Sequence, residues 1–283
     1  MLLSIKRLIY RVLFVLLHVQ FFYKRMNQRS FNPFSDLPIV TKNLIFINFL
    51  LLVASFLMTS EPDLSALLGL HYPYQHLEPY PPSAFRPHQL ITYMFMHAGI
   101  AHFFFNMFAV FMFGRVIESA WGPKRFLTFY MITGIGAGLL NLLVIHFRIP
   151  IIEAGLSWDE IDLVYQDGLA LLKEGKNWVA PGISELNLLR NSSMVGASGA
   201  VFGILLAFGM LFPNLPLYII PFPFPIKAKY LVTGYGALEL FLGIANLPGD
   251  RIAHFAHLGG MLFGIFFVIY WRKKDRDNGR YFY

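Results

Sequence analysis

The chain has 283 residues, of which 56% are hydrophobic, 17% aromatic and 14% charged, with a mean hydropathy of +0.55. Soluble domains carry about 25% charged and about 45–50% apolar residues, so this composition excludes a water-soluble core of such length and reads as a membrane protein. The absence of cysteine excludes disulfides, thiolate metal sites and a cysteine nucleophile. The net charge of +7 fits either nucleic acid or membrane topology, which only its distribution can separate.

In chain order, Val12–Phe22 is an apolar run behind Lys6, Arg7 and Arg11. It is too short to span and has no small-residue cleavage site after it, which favours an interfacial amphipathic helix over a signal peptide. The alternative is translation from Met26, with residues 1–25 not made. A helix crossing ~30 Å of hydrocarbon needs about 20 apolar residues. Six stretches qualify: Asn43–Met58, Ile100–Ile117, Phe126–Phe147, Val195–Phe212, Tyr230–Leu247 and Ala253–Trp271. None alternates as a membrane strand does, so the expected fold is an all-α, six-helix membrane bundle. Residues 1–40 form an N-terminal segment, 41–272 the membrane domain and 273–283 a basic tail.

Two connections are long. Residues 60–96 hold Pro62, Pro73, Pro79, Pro81, Pro82 and Pro87 among tyrosines, which predicts an irregular headgroup-level loop. The insertion 150–194 contains Ser157-Trp158-Asp159-Glu160, a capping box. It is followed by Ile161, Val164, Tyr165, Gly168, Leu169 and Leu172 on one helical face, which predicts an amphipathic surface helix.

With six spans both termini share one side. Seventeen of the 23 Lys and Arg lie before the first span, in the second-to-third and fourth-to-fifth connections and in the tail, whereas eleven of the 16 acids fall on the opposite face. The positive-inside rule then makes both termini cytoplasmic. Topology accounts for the charge, and no nucleic-acid partner is called for.

Polar residues inside spans are expensive and therefore informative. His97, His102 and Asn106 open the second span, Ser198 the fourth, and His254 and His257 the sixth. In the derived orientation all share the outer depth, while Glu239 of the fifth span is expected deeper, as a buried hydrogen-bond partner. Ser198 falls in the first turn of its helix, where backbone N–H groups and the positive dipole end can meet an oxyanion. Gly199 and Gly203 on the fourth helix, and Gly260 and Gly264 on the sixth, form small-residue packing faces. The two helices run parallel, so Ser198 and His257 arrive at one level, as a serine and its activating base must. His102 and Asn106, four apart, share a face and can both donate hydrogen bonds. With no acid expected at that depth, the arrangement is a dyad. Each residue alone also has an ordinary structural role in helix packing. The histidines could ligate a metal, but there is no His-Glu-x-x-His and no second-span carboxylate. A transporter using Glu239 would explain the polar groups singly, though not their common depth.

These residues resemble the rhomboid family of intramembrane serine proteases. The resemblance rests on His102-Phe-Phe-Phe-Asn106, Gly196-Ala-Ser198-Gly199 and Ala256-His257-Leu-Gly-Gly260, with Glu118-Ser-Ala-Trp-Gly122 and Arg125-Phe-Leu before the third span. It extends from about Leu44 to Tyr270. It implies Ser198 as nucleophile, His257 as general base, and His102, Asn106 and the Ser198 backbone N–H as oxyanion hole. The implied reaction is hydrolysis, near the outer membrane face, of transmembrane protein substrates within the lipid bilayer, with neither metal nor ATP. Water would enter from the first or the third-to-fourth connection. Two departures stand out. Phe202 takes the place of a tyrosine that stacks on the base, and His88-Gln89 lies near the place of a Trp-Arg pair in the first outer loop. The long insertion is expected to cover the site partly or to dock substrate. The competing function is a proteolytically inactive relative that binds client helices, but such relatives lack the serine or the histidine, and both are present here. The lack of targeting signals leads to the expectation of a bacterial inner membrane.

Overall fold

The computed structural model describes residues 37–58, 64–74, 84–218, 224–245 and 253–279. The expected interfacial helix at Val12–Phe22, the Met26 alternative and residues 280–283 lie outside these. Helix α1 (Ile39–Leu57) follows Pro38 and buries Thr41, Leu44, Asn48 and Leu52, one stripe at helical spacing. Its remaining faces leave Phe46, Phe49 and Leu50 exposed, as suits contact with lipid.

The first connection is described over 64–74 and 84–96, and these parts are not wholly irregular. Two short helices, α2 (Leu64–Leu68) and α3 (Gln89–Thr92), form within it. Gln89 explains the second: its side-chain oxygen accepts from the backbone N–H of Arg86 and its amide donates to the carbonyl of Ala84. Helix α4 (Ile100–Trp121) widens into a π-type turn over Val110–Gly114. It ends at Gly122, whose φ of 82° lies in the left-handed region.

Pro123 opens α5 (Pro123–Glu153), 31 residues long and so about 46 Å, half as long again as a bilayer core. The expected end of this span at Phe147 is too early, because the helix runs through Pro150. What sustains it is packing: Ile149 and Ile152 join Val164, Ile183 and Leu186 in a separate small core. That core is shared with α6 (Trp158–Lys173) and α7 (Pro181–Asn191). Helix α6 begins with the predicted capping box, Ser157 and Glu160 capping each other's backbone. Its predicted inner face buries Val164 and Gly168, while Leu169 stays exposed. Arg148–Glu185 and Arg190–Glu153 ion pairs lace α7 to the end of α5.

The centre of the bundle is α8 (Ser198–Leu211), 14 residues of which ten are buried. Two antiparallel two-residue strands, β1 (Pro216–Leu217) and β2 (Ile226–Lys227), precede α9 (Ala228–Ala245). The last helix, α10 (His254–Asp277), packs against α5, α8 and α9. Arg125 holds Asp275 through two hydrogen bonds of 2.7 and 2.6 Å, closing the foot of α10 onto α5.

Four helices, α1, α4, α5 and α10, are long and apolar enough to cross a membrane, and α8 is apolar but shorter. Helix α9 has 18 residues and carries Lys229 and Glu239. The described residues thus form an all-α, multi-pass bundle. Of the two other expected spans, α8 is short and packs inside the bundle, and α9 is mixed because it carries Lys229 and Glu239.

Candidate active site

Ser198 is the first residue of α8. The segment before it is pinned from the first connection. Leu70 and Met194 exchange two backbone hydrogen bonds of 2.9 Å, and the Gly196 N–H donates to the Tyr93 carbonyl at 2.9 Å. The N–H groups of Ser198, Gly199 and Ala200 precede the first helical bond, Val201 N–H to the Ala197 carbonyl, and are the donors a helix start offers to an anion.

Across from it, Nε2 of His257 lies 2.8 Å from Oγ of Ser198. The expected glycine faces explain how two helices come so close. A Cβ on Gly260 would run into the backbone carbonyl of Gly199, and one on Gly264 would stand 3.5 Å from the Gly203 Cα. Gly203 itself turns toward Thr133 of α5. The Phe202 ring stacks on the imidazole of His257, 4.2 Å between centroids and 8° from parallel.

His102 and Asn106 reach the same chamber. The Ala98 N–H donates to Nδ1 of His102, which leaves the proton of a neutral ring on Nε2. A Cβ on Gly196 would meet His102 Nε2 at 2.8 Å and Ser198 Oγ at 3.7 Å, so the imidazole and the hydroxyl border one space. The Asn106 amide donates to the His102 carbonyl at 2.9 Å and has a second N–H to offer. All four side chains line a cavity of about 1140 Å³. Its walls take in Leu70 and His71 of the first connection and Leu172, Lys173 and Leu188 of the insertion.

Glu239 is the expected buried hydrogen-bond partner, but the expectation that no acid shares the level of the histidines fails: its Oε2 lies 2.9 Å from Nδ1 of His257 and 2.6 Å from Nδ1 of His254. The carboxylate reaches both rings from α9 because that helix packs against α10, which carries the two histidines. The signal in the sequence is a lone acid in an apolar helix beside two histidines spaced three apart. The ligand atoms of Glu239, His254 and His257 lie within 4.8 Å of one another. Oε2 of Glu239 contacts both Nδ1 atoms, so the group is knit by hydrogen bonds. His97 stands edge-on to His102, 5.1 Å between centroids, and so packs beside the chamber.

Fold and site together define a multi-pass helical membrane protein with a serine and a histidine paired inside the bundle. A family model described as "Eukaryotic integral membrane protein (DUF1751)" matches residues 42–280. The chain belongs to this rhomboid-like integral membrane family. It is 28% identical over 177 residues to RHOMBOID-like protein 6, mitochondrial, of Arabidopsis thaliana, covering 62% of this chain and 41% of that one. It is 25% identical over 201 residues to Rhomboid protein 1, mitochondrial, of Saccharomyces cerevisiae, covering 68% and 46%. With Rhomboid protease AarA of Providencia stuartii it shares 26% over 174 residues, covering 60% and 51%. The chain therefore spans about half the length, or less, of these relatives. The matched family is described as eukaryotic and two of these relatives are mitochondrial, so the expected bacterial inner membrane is not supported.

Proposed function

We propose that this protein is an intramembrane serine endopeptidase that cleaves transmembrane-helix substrates near the outer face of the membrane. The observation that carries the proposal is the 2.8 Å approach of His257 Nε2 to Ser198 Oγ at the start of a buried helix. In this reading His257 takes the hydroxyl proton as Ser198 attacks a peptide carbonyl, then gives it to the departing amine. Water, activated by the same imidazole, hydrolyses the acyl-enzyme. The oxyanion is met by His102, Asn106 and the Ser198 backbone N–H. Phe202 holds the imidazole face. The cavity gives water a path from the first connection and the insertion, and no metal or nucleotide enters the chemistry. A substrate helix must lose backbone hydrogen bonds before attack, so helix-breaking residues at the cleaved segment lower the barrier. Six crossings with both termini cytoplasmic belong to the same reading, supported by the Lys and Arg distribution.

The test is cleavage of a model transmembrane substrate by the wild type, Ser198→Ala and His257→Ala. Losses of about 10⁴-fold or more are expected for both variants. Activity persisting in Ser198→Ala refutes the mechanism. Complete loss in His254→Ala with retention in His257→Ala assigns the base to the other histidine. A wild type that binds helices without cutting any substrate points to a client-binding protein.

A further inference from the structure

Glu239 is an acid in an apolar helix with no part in the chemistry just proposed. It is buried, 8% exposed, and so are His254 and His257 at 6% and 9%. Of its two oxygens, Oε2 alone meets both Nδ1 atoms, at 2.6 and 2.9 Å. A carboxylate in a dry interior is tolerated where it is hydrogen-bonded, and an ionised one only accepts. Each Nδ1 must then carry a proton. On His257 this leaves Nε2 with its lone pair directed to Ser198 Oγ at 2.8 Å, the form in which the ring can take the hydroxyl proton.

We propose that Glu239 is a positioning residue of this site: its carboxylate fixes His257 in the Nδ1–H tautomer and sets the ring's rotation, while His254 holds the carboxylate in place. The inference rests on the serine–histidine reading given above. Three restraints on the imidazole then lie in different directions. Phe202 stacks on its face, Glu239 meets Nδ1 and Ser198 meets Nε2. During attack the proton moves from Ser198 Oγ to Nε2, so the ring carries N–H on both sides and one positive charge. Glu239 stays ionised and stabilises that charge across a medium of low dielectric. The proton leaves from Nε2 to the amine, and the first tautomer is restored. Glu239 is also one of only three residues that α9 buries, with Ala228 and Val232. A purely structural tie between α9 and α10 is therefore the competing role.

The experiment has two arms on the full chain in detergent or lipid. In the first, the wild type is labelled with ¹⁵N-histidine, and His257 is assigned through its contacts to the Phe202 ring. An Nδ1-protonated, Nε2-bare ring is expected, whereas an Nε2–H tautomer overturns the proposal. This arm needs neither a variant nor activity, so it remains decisive if Glu239 variants do not fold. In the second, Glu239→Ala is expected to lower kcat by about 10²–10⁴-fold, with KM changed little and partial rescue in Glu239→Asp. A folded Glu239→Ala protein with kcat within about twofold of wild type overturns the proposal and leaves a structural tie. A wild type that neither cleaves nor reacts at Ser198 with a fluorophosphonate refutes the protease reading instead, and the tautomer still decides the role of Glu239.

Discussion

Gly196 carries two constraints at once. Its φ of 131° lies where side chains are strained, and a Cβ there would stand 2.6 Å from Cε1 of His102. A methyl group must push the imidazole away from the space it shares with Ser198 or unwind the approach to α8. Gly196→Ala is therefore expected to leave the bundle folded but to lower kcat by about 10²–10³-fold, the usual loss for one oxyanion donor. Steady-state cleavage, with circular dichroism as a check on folding, measures it. An unchanged kcat removes His102 from the oxyanion hole.

At the scale of the helices, α8 and α10 are held by contact between backbones rather than by large side chains. A Cβ on Gly260 meets the Gly199 carbonyl, whereas one on Gly234 of α9 meets nothing within 4 Å. Gly260→Ala should separate the two helices at a cost of about 1–3 kcal/mol or more, and Gly234→Ala should keep or slightly raise stability. Thermal unfolding in detergent distinguishes the two, and equal midpoints would mean that α8 and α10 do not depend on that approach. Glycines four apart were legible because small residues in an apolar helix have few other uses. The capping box of α6 was legible because it is local, with Ser157 and Glu160 three positions apart. The level of Glu239 beside His257 was not, because a side chain's reach depends on how two helices cross. The overrun of α5 past Pro150 escaped for a related reason. Burial of Ile149, Val164, Ile183 and Leu186 outweighs a proline penalty of about 3 kcal/mol, and that burial requires α7, whose amphipathic pattern is weak.

For the molecule as a whole, the insertion is a built part of the chamber. Leu172 and Lys173 of α6 and Leu188 of α7 line the cavity that holds Ser198. Replacing Ser157–Lys176 by a short linker is expected to raise KM for transmembrane substrates several-fold while kcat holds, as when binding but not chemistry is lost. Unchanged cleavage of every substrate tested would remove the docking role. A different long-range dependence lies at the opposite end of the bundle. The first turn of α1 donates its Val40 and Thr41 N–H groups to the carboxylate of Glu118, at 2.9 and 2.7 Å, and the Thr41 hydroxyl joins them at 2.7 Å. Helix starts leave such donors unpaired within themselves, and here the acceptor comes 77 positions later in the chain. A ribosome that has made α1 has not yet made its cap. The Val40 and Thr41 N–H groups of α1 therefore gain this acceptor only when α4 has been synthesised as far as Glu118.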